Sequence, residues 1–215
     1  MVRLFLLSIY YHYSLGAFTL ANYHHVSHSP VIDHQDNLWM VNSQPSGIYT
    51  KQMKSILNQL EAVLTHYSQV LILRFDIRTF AYTDDNNVIT GLFTYLLRHL
   101  KQTYQTDNIG YHWTREQEKA KRQHYHCVLI LDANKVRHPS RINNFIFELG
   151  NTHNVSPWIP ANCFYRFKRS EVNLKQNAIY RISYLAKARG KGYKPPQVKN
   201  HGSSRIKTKT ALKSV

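Results

Sequence analysis

The protein has 215 residues, with 28 Lys or Arg against 12 Asp or Glu, which gives a formal net charge of +16. Since 43% of the residues are hydrophobic, the composition predicts a packed core and excludes a disordered chain. The two cysteines, Cys127 and Cys163, exclude a disulfide scaffold and a four-thiolate zinc site, and they suit a reducing compartment. The excess positive charge predicts a polyanionic partner, of which nucleic acid is the commonest and an acidic membrane surface the weaker alternative.

The amino-terminal 47 residues have no regular periodicity. The first 22 superficially resemble a secretory signal, but His12 and the break at Gly16 argue against one, and the run is too short and polar for a membrane span. We interpret residues 1–47 as an irregular leader, with a start codon assigned too early as the alternative and Met40 or Met53 as the true start. We therefore expect a cytoplasmic protein that does not contact a membrane.

The rest of the chain has the periodicity of helices and strands. In order, the predicted elements are a helix over 48–67, a strand over 69–78, a helix over 88–100, strands over 109–118 and 124–131 joined as a hairpin, a helix over 140–150, a strand over 164–169 and a helix over 174–188. This order predicts an α+β fold, a ferredoxin- or RRM-like sandwich with a central antiparallel sheet and helices packed on one face. The predicted domain covers residues 48–190, and residues 191–215 form a basic tail.

The stretch from Gln123 to Leu131 holds a pair of histidines on a predicted strand. His124 and His126 alternate with Tyr125, so both imidazoles point to one face of the sheet, where they could chelate one divalent metal. The alternative is that two residues on a solvent-facing side of the strand happen to be histidines.

Two carboxylates lie on the partner strand of the predicted hairpin. If the hairpin is symmetric about Ala120, Glu116 faces His124 and Glu118 lies on the same face. Either one could complete a His-His-Glu site, a ligand set that suits manganese or magnesium and can also hold zinc. Alternatively, these two acids merely balance the basic residues of an exposed hairpin.

Tyrosines recur at helical spacing near the end of the predicted domain. Tyr180, Tyr184 and Lys187 lie at positions i, i+4 and i+7, so a helix would present all three on one face. Tyrosines with this spacing are often half-buried core residues. The functional alternative is a phenol that attacks a phosphodiester, helped by a metal and a lysine because an unperturbed tyrosine pKa of ~10 makes a poor nucleophile.

These motifs resemble those of a known superfamily. His124-Tyr125-His126 is similar to the paired-histidine motif of the HUH endonucleases, which nick single-stranded DNA in rolling-circle replication, and Tyr180-x-x-x-Tyr184-x-x-Lys187 is similar to the two-tyrosine motif of phage replication initiators. From LRFDIR through HYHCVLIL and YRISYLAKAR to GSSRIK, about residues 69–207, the chain resembles inovirus-type replication proteins, including the YagK/YfjJ-like proteins of prophages.

The resemblance implies a mechanism and a set of site residues. A metal held by His124 and His126 would polarise the scissile phosphate, and Tyr184 would attack it, with Tyr180 acting in a second transfer or in the reverse order. Glu116 stands in a position similar to that of the superfamily's third ligand, while Glu118 and Asp76 remain alternatives. The implied partners are single-stranded DNA at a replication origin, in a phage or prophage context, and host replication proteins.

Basic residues are concentrated after Glu171, beyond which the chain has no acidic residue. We expect DNA contacts from eight basic side chains: Arg74, Arg78, Arg115, Arg181, Arg189, Lys191, Arg205 and Lys207. A non-catalytic nucleic-acid-binding protein of the same fold, whose sheet stacks bases while the tail follows phosphates, is the alternative function.

Overall fold

The computed structural model describes residues 25–117, 122–191 and 194–210. The helices are α1 (Thr50–His66), α2 (Asn87–Tyr104), α3 (Ser140–Thr152) and α4 (Val172–Ile182), and a 3₁₀ helix (Ser183–Ala186) follows α4. The strands are β1 (Val26–Ser27), β2 (Val31–His34), β3 (Asn37–Met40), β4 (Ile48–Tyr49), β5 (Gln69–Thr79), β6 (Gly110–Glu116), β7 (His124–Asp132), β8 (Val155–Trp158), β9 (Phe164–Lys168) and β10 (His201–Ser203).

A six-stranded antiparallel sheet forms the centre of the α+β fold. Its order is β10-β6-β7-β5-β8, and β9 also pairs with β5. The long strand β5 accommodates both partners on one edge because β9 pairs with residues 69–73 and β8 with residues 76–79. The central strands β5 and β7 pair over nine residues, from Val70↔Asp132 to Arg78↔His124.

Helices cover both faces of the sheet, which differs from the prediction of helices on one face. Leu71, Leu73 and Phe75 of β5 pack with α2 and α3, whereas Val70 and Ile72 pack with α1 and α4. The physical reason is the continuous apolar run of β5, because a strand that is apolar at both parities must be covered on both sides. The α+β class itself is confirmed.

Most predicted helices and strands are present within a few residues of their expected bounds. The exception is the last helix, predicted over 174–188: α4 ends at Ile182 and the chain continues as a 3₁₀ helix. Strands β8 and β10 lie in segments that were predicted as loop and tail. Both are short and pair with distant strands, so no local periodicity predicts them.

Part of the predicted leader is folded onto the domain. Strands β2 and β3 form a hairpin, and β1 pairs with β4. Met40 exchanges two backbone bonds of 3.0 Å with the side chain of Gln176 on α4, and Trp39 is buried in the core beneath that helix. Residues 1–24 lie outside the described part of the chain, and the predicted domain limits remain predictions.

Among the described residues, no helix is both long enough and apolar enough to cross a bilayer.

Candidate metal and tyrosine site

The register of three neighbouring strands assembles the site. Glu116 of β6 lies opposite His124 of β7, as the hairpin symmetry predicts, while His126 lies opposite Asp76 of β5 and His124 lies opposite Arg78. Residues opposite each other in an antiparallel pair point to the same face. These five side chains therefore share the face of the sheet that α1 and α4 cover. Glu118 and the turn at 119–121 lie outside the described residues.

Glu116, His124 and His126 form a compact cluster with the donor set of a metal site. Oε2 of Glu116 lies 2.7 Å from Nε2 of His126 and 3.6 Å from Nε2 of His124. One ligand atom from each residue lies within 4.8 Å of the other two. Glu116 and His126 are buried and His124 is partly exposed, so the cluster is open on the His124 side. Two imidazoles and a carboxylate at this spacing can hold a divalent cation.

Asp76 lies behind His126, on the opposite side of the ring from Glu116. Oδ1 of Asp76 is 2.9 Å from Nδ1 of His126, although the contact is not aligned as a straight hydrogen bond. A carboxylate on the outer nitrogen of a metal-binding histidine fixes the ring and its tautomer. Of the carboxylates that the sequence leaves open as a third ligand, Glu116 thus stands inside the cluster and Asp76 outside it.

The charges of the cluster stabilise one another. Burial acts to raise the pKa of Glu116, but bonds to His124 and His126 outweigh it and place that pKa well below its ordinary value. Burial acts to lower the pKa of His126, and the carboxylates of Asp76 and Glu116 overcome this effect and raise it. Arg74 also lies close to Asp76, with Nη2 3.7 Å from Oδ2, so both Arg74 and His126 contribute to balancing the buried carboxylates.

Tyr184 packs directly against this cluster. Its ring centroid is 4.8 Å from that of His126, with the rings perpendicular, and the guanidinium of Arg74 lies 4.5 Å from the tyrosine ring centroid. Nζ of Lys187 lies 5.5 Å from the same centroid and donates to the carbonyl of Gln44. Burial and the nearby Glu116 raise the pKa of Tyr184, and Arg74 opposes that shift. Because its pKa is raised, the phenol of Tyr184 is protonated at neutral pH.

Tyr180 and Tyr184 do not continue one α-helical face as predicted. Tyr180 lies on α4, whereas Tyr184 lies in the 3₁₀ helix, whose tighter turn separates the two side chains by roughly 80° around the axis instead of roughly 40°. Tyr180 is 47% exposed and is not among the described residues that line the cavity beside the cluster. The structure thus brings Tyr184 and Lys187 to the site and leaves Tyr180 on the surface.

Gly190 supports Glu116 from behind. Its φ is +70°, and a Cβ added there would overlap Cγ of Glu116. The carbonyl of Gly190 also accepts a 2.8 Å bond from the backbone N–H of Gln117. Only glycine combines this backbone conformation with so close an approach. Sequence reasoning missed this residue, because its role depends on contact with a strand more than 70 positions away.

The model of the YagK/YfjJ C-terminal domain family matches residues 33–152, more than half of the chain. The protein belongs to this family. No curated protein and no solved structure matches it significantly. The match includes Asp76, Glu116, His124 and His126, while Tyr184 lies beyond its end.

In this YagK/YfjJ-family protein, three predicted DNA-binding residues line a cavity of about 530 Å³ beside the cluster. They are Arg74, Arg78 and Arg181, which share the cavity with Asp76, His124, His126, Trp158, Pro160 and Tyr184. The alternation of Arg74, Asp76 and Arg78 along β5 is the sequence signal that places them on one face. Trp158 gave no such signal, because its strand was not predicted.

Two other predicted DNA-binding residues are inside the protein. Arg115 is 1% exposed and donates to the backbone carbonyls of Thr83 and Asp85, so it holds a loop together. Lys191 is also buried, where Nζ donates to Leu185 O at 3.0 Å, and burial lowers its pKa to about 7. Their positions do not leave either charge available to a phosphate.

The remaining three predicted DNA-binding residues are exposed. Arg205 and Lys207 line a separate cavity of about 1180 Å³, together with Lys51 and Lys54 of α1. Arg189 is exposed between the 3₁₀ helix and Gly190.

Proposed function

We propose that this protein is a metal-dependent endonuclease that nicks single-stranded DNA and rejoins it through a phosphotyrosine intermediate, as HUH replication initiators of phages and prophages do. The observation that carries the proposal is the contact between Tyr184 and the Glu-His-His cluster, with ring centroids of Tyr184 and His126 4.8 Å apart. A nucleophile beside a divalent-metal site is an arrangement that can carry out phosphodiester transfer.

Glu116, His124 and His126 are the residues that would hold the metal, and Asp76 would fix the orientation of His126. The carboxylate suits manganese or magnesium, and because two imidazoles also suit zinc, zinc is a further candidate. When bound, the cation would supply Lewis-acid polarisation of the scissile phosphate.

The protein's own residues carry the remaining roles. The guanidinium groups of Arg78 and Arg181 around the cavity offer bonds to phosphate oxygens on either side of the scissile bond, whereas Arg74 is 6% exposed and its Nη2 lies 3.7 Å from Oδ2 of Asp76. Arg74 also faces the ring of Tyr184, where its charge favours the phenolate that forms during attack.

The chemical step is a transesterification without oxidation or reduction. A bond forms between Oη of Tyr184 and phosphorus, and the bond from phosphorus to the 3′ oxygen of the preceding nucleotide breaks. The phenol gives up its proton to solvent, and the leaving oxygen takes one up to become a free 3′ hydroxyl. The 5′ phosphate remains on the tyrosine until a 3′ hydroxyl reverses the reaction.

The test is formation of a covalent adduct with single-stranded DNA that carries the phage or prophage origin, in the presence of manganese, read on a denaturing gel. We expect the adduct with the wild-type protein, its loss on chelation and its loss in Tyr184→Phe. Tyr180→Phe is the matched control, because the same hydroxyl is removed from an exposed tyrosine four residues away. We expect it to keep the first adduct and to fail only where a second tyrosine is needed for joining.

Two results would contradict the proposal. An adduct that survives in Tyr184→Phe would remove the nucleophile from its assigned position. A wild-type protein that binds the DNA but never forms an adduct would instead favour the non-catalytic nucleic-acid-binding function.

A further inference from the structure

An exposed tryptophan lies at the edge of the sheet, beside the candidate site. Trp158 ends strand β8 and pairs with Asp76 of β5, so the two side chains point to the same face. Trp158 is 45% exposed, whereas Trp39 and Trp113 are 5% and 4% exposed. Exposure alone assigns Trp158 no role, since Phe147 and Tyr95 are exposed to a similar extent, but Trp158 differs from them in lining the cavity beside the candidate site.

Trp158 shares the cavity with the residues of the proposed reaction. The cavity of about 530 Å³ is lined by Trp158 together with His126 and Tyr184. Strand β5 separates β8 from β7, which places Trp158 about 10 Å from His126 at ordinary strand spacing. A group that contacts Trp158 therefore lies next to a phosphate at the cluster.

A charged partner lies over the tryptophan ring. The guanidinium of Arg78 is 5.9 Å from the Trp158 ring centroid, and Arg78 is exposed. An aromatic face with an arginine next to it is the combination that single-stranded nucleic acids bind, the ring stacking with a base and the arginine pairing with the backbone.

We propose that Trp158 is a stacking platform for an unpaired nucleobase next to the scissile phosphate, and that Arg78 pairs with the phosphate of that nucleotide. The inference rests on the proposed function, in which the substrate is single-stranded DNA. A stacking site at Trp158 would also explain a preference for single-stranded over duplex DNA, because a base inside a duplex already stacks on its neighbours and cannot reach Trp158.

Intrinsic fluorescence tests the contact directly, because Trp158 is the exposed one of three tryptophans. We expect oligothymidylate to quench the emission, while a sugar–phosphate oligomer without bases, and a duplex, quench far less. These titrations need no metal and no cleavage.

Substitutions at Trp158 measure how much the stacking contact contributes to the affinity for single-stranded DNA. Trp158→Ala should weaken binding of a labelled oligothymidylate, measured by anisotropy, by about 5- to 150-fold, which is the usual worth of one stacked base. Trp158→Phe keeps an aromatic face, so its affinity for the oligothymidylate should lie between those of the wild-type protein and Trp158→Ala. Phe147→Ala is the matched control, since Phe147 is 47% exposed on α3, which packs on the other face of the sheet, and its removal should leave the affinity unchanged.

The adduct assay, run on the same variants, separates the two proposals. Unchanged affinity in Trp158→Ala, or equal binding of oligomers with and without bases, overturns the stacking site even if the wild-type protein forms the adduct. If the bases quench the fluorescence but no adduct forms, the nicking function is wrong, and Trp158 is a stacking site of a non-catalytic nucleic-acid-binding protein. A wild-type protein that binds no oligonucleotide overturns both.

Discussion

Gly190→Ala is the sharpest test of how the cluster is held. The substitution places a side chain at a φ of +70°, which costs about 1–3 kcal/mol in a non-glycine residue. The new Cβ also overlaps Cγ of Glu116, and such overpacking costs about 1–3 kcal/mol more. We therefore expect the free energy of unfolding to fall by about 2–6 kcal/mol. Because Glu116 must move to relieve the overlap, its 2.7 Å contact with His126 should be lost as well.

Denaturant titration measures the first effect and calorimetric titration with manganese the second. We expect the affinity for manganese to fall about 10- to 100-fold, the usual result of disturbing a ligand's support. Gly91→Ala is the control, since a Cβ at Gly91 within α2 meets no atom within 4 Å and should stabilise the helix by about 0.5–1 kcal/mol. If Gly190→Ala behaved like Gly91→Ala in both measurements, the assigned support of Glu116 would be wrong.

Two further predictions concern groups around the same cluster. Asp76→Asn removes the carboxylate next to Nδ1 of His126 and should lower the affinity for manganese about 10- to 100-fold by calorimetry, with little change in the fold; an unchanged affinity would show that Asp76 does not orient the histidine. Burial lowers the pKa of Lys191 to about 7 from 10.5, so between these values the unfolded chain binds the proton that the folded protein lacks, and stability rises with pH. Lys191→Met should remove this rise, at most roughly 5 kcal/mol, from the free energy of unfolding measured by urea titration at several pH values; parallel curves for the two proteins would contradict the prediction.

The sequence predicts the core of the site because that core is local. His124 and His126 alternate on one strand, and a short turn determines the partner strand, so the pairing of Glu116 with His124 follows from the symmetry of the hairpin. The position of Asp76 opposite His126 depends on the pairing of β5 with β7, which are separated by a helix and a strand. For that reason Asp76 could be recognised as a candidate but not assigned its place behind the histidine.

Features that depend on distant contacts escape sequence reasoning. The spacing of Tyr180 and Tyr184 fits an α-helix, but the chain leaves the helix because the following residues join the amino-terminal segment: Lys187 bridges to Ile48, and the N–H of Ala188 donates to Gly47 O. This tertiary pairing tightens the last turn and turns the two tyrosines apart. The sequence also did not predict the position of Trp158, because the four-residue strand β8 shows too little periodicity to be recognised.

The net charge of +16 is a poor guide to where DNA would bind, because some of the charged side chains are buried and do not face a ligand. Arg115 and Lys191 contribute to the count but lie inside the protein, while Glu116 and Asp76 are buried around His126. Burial removes acids and bases alike, so the exposed surface stays strongly positive, which favours long-range attraction of a polyanion without selecting a site. Under the proposed function, selection would come from the cavity where arginines and an exposed tryptophan lie beside His124 and His126 of the cluster. Salt should therefore weaken the general attraction more than it weakens discrimination between single strands and duplexes, because base stacking is not a charge interaction.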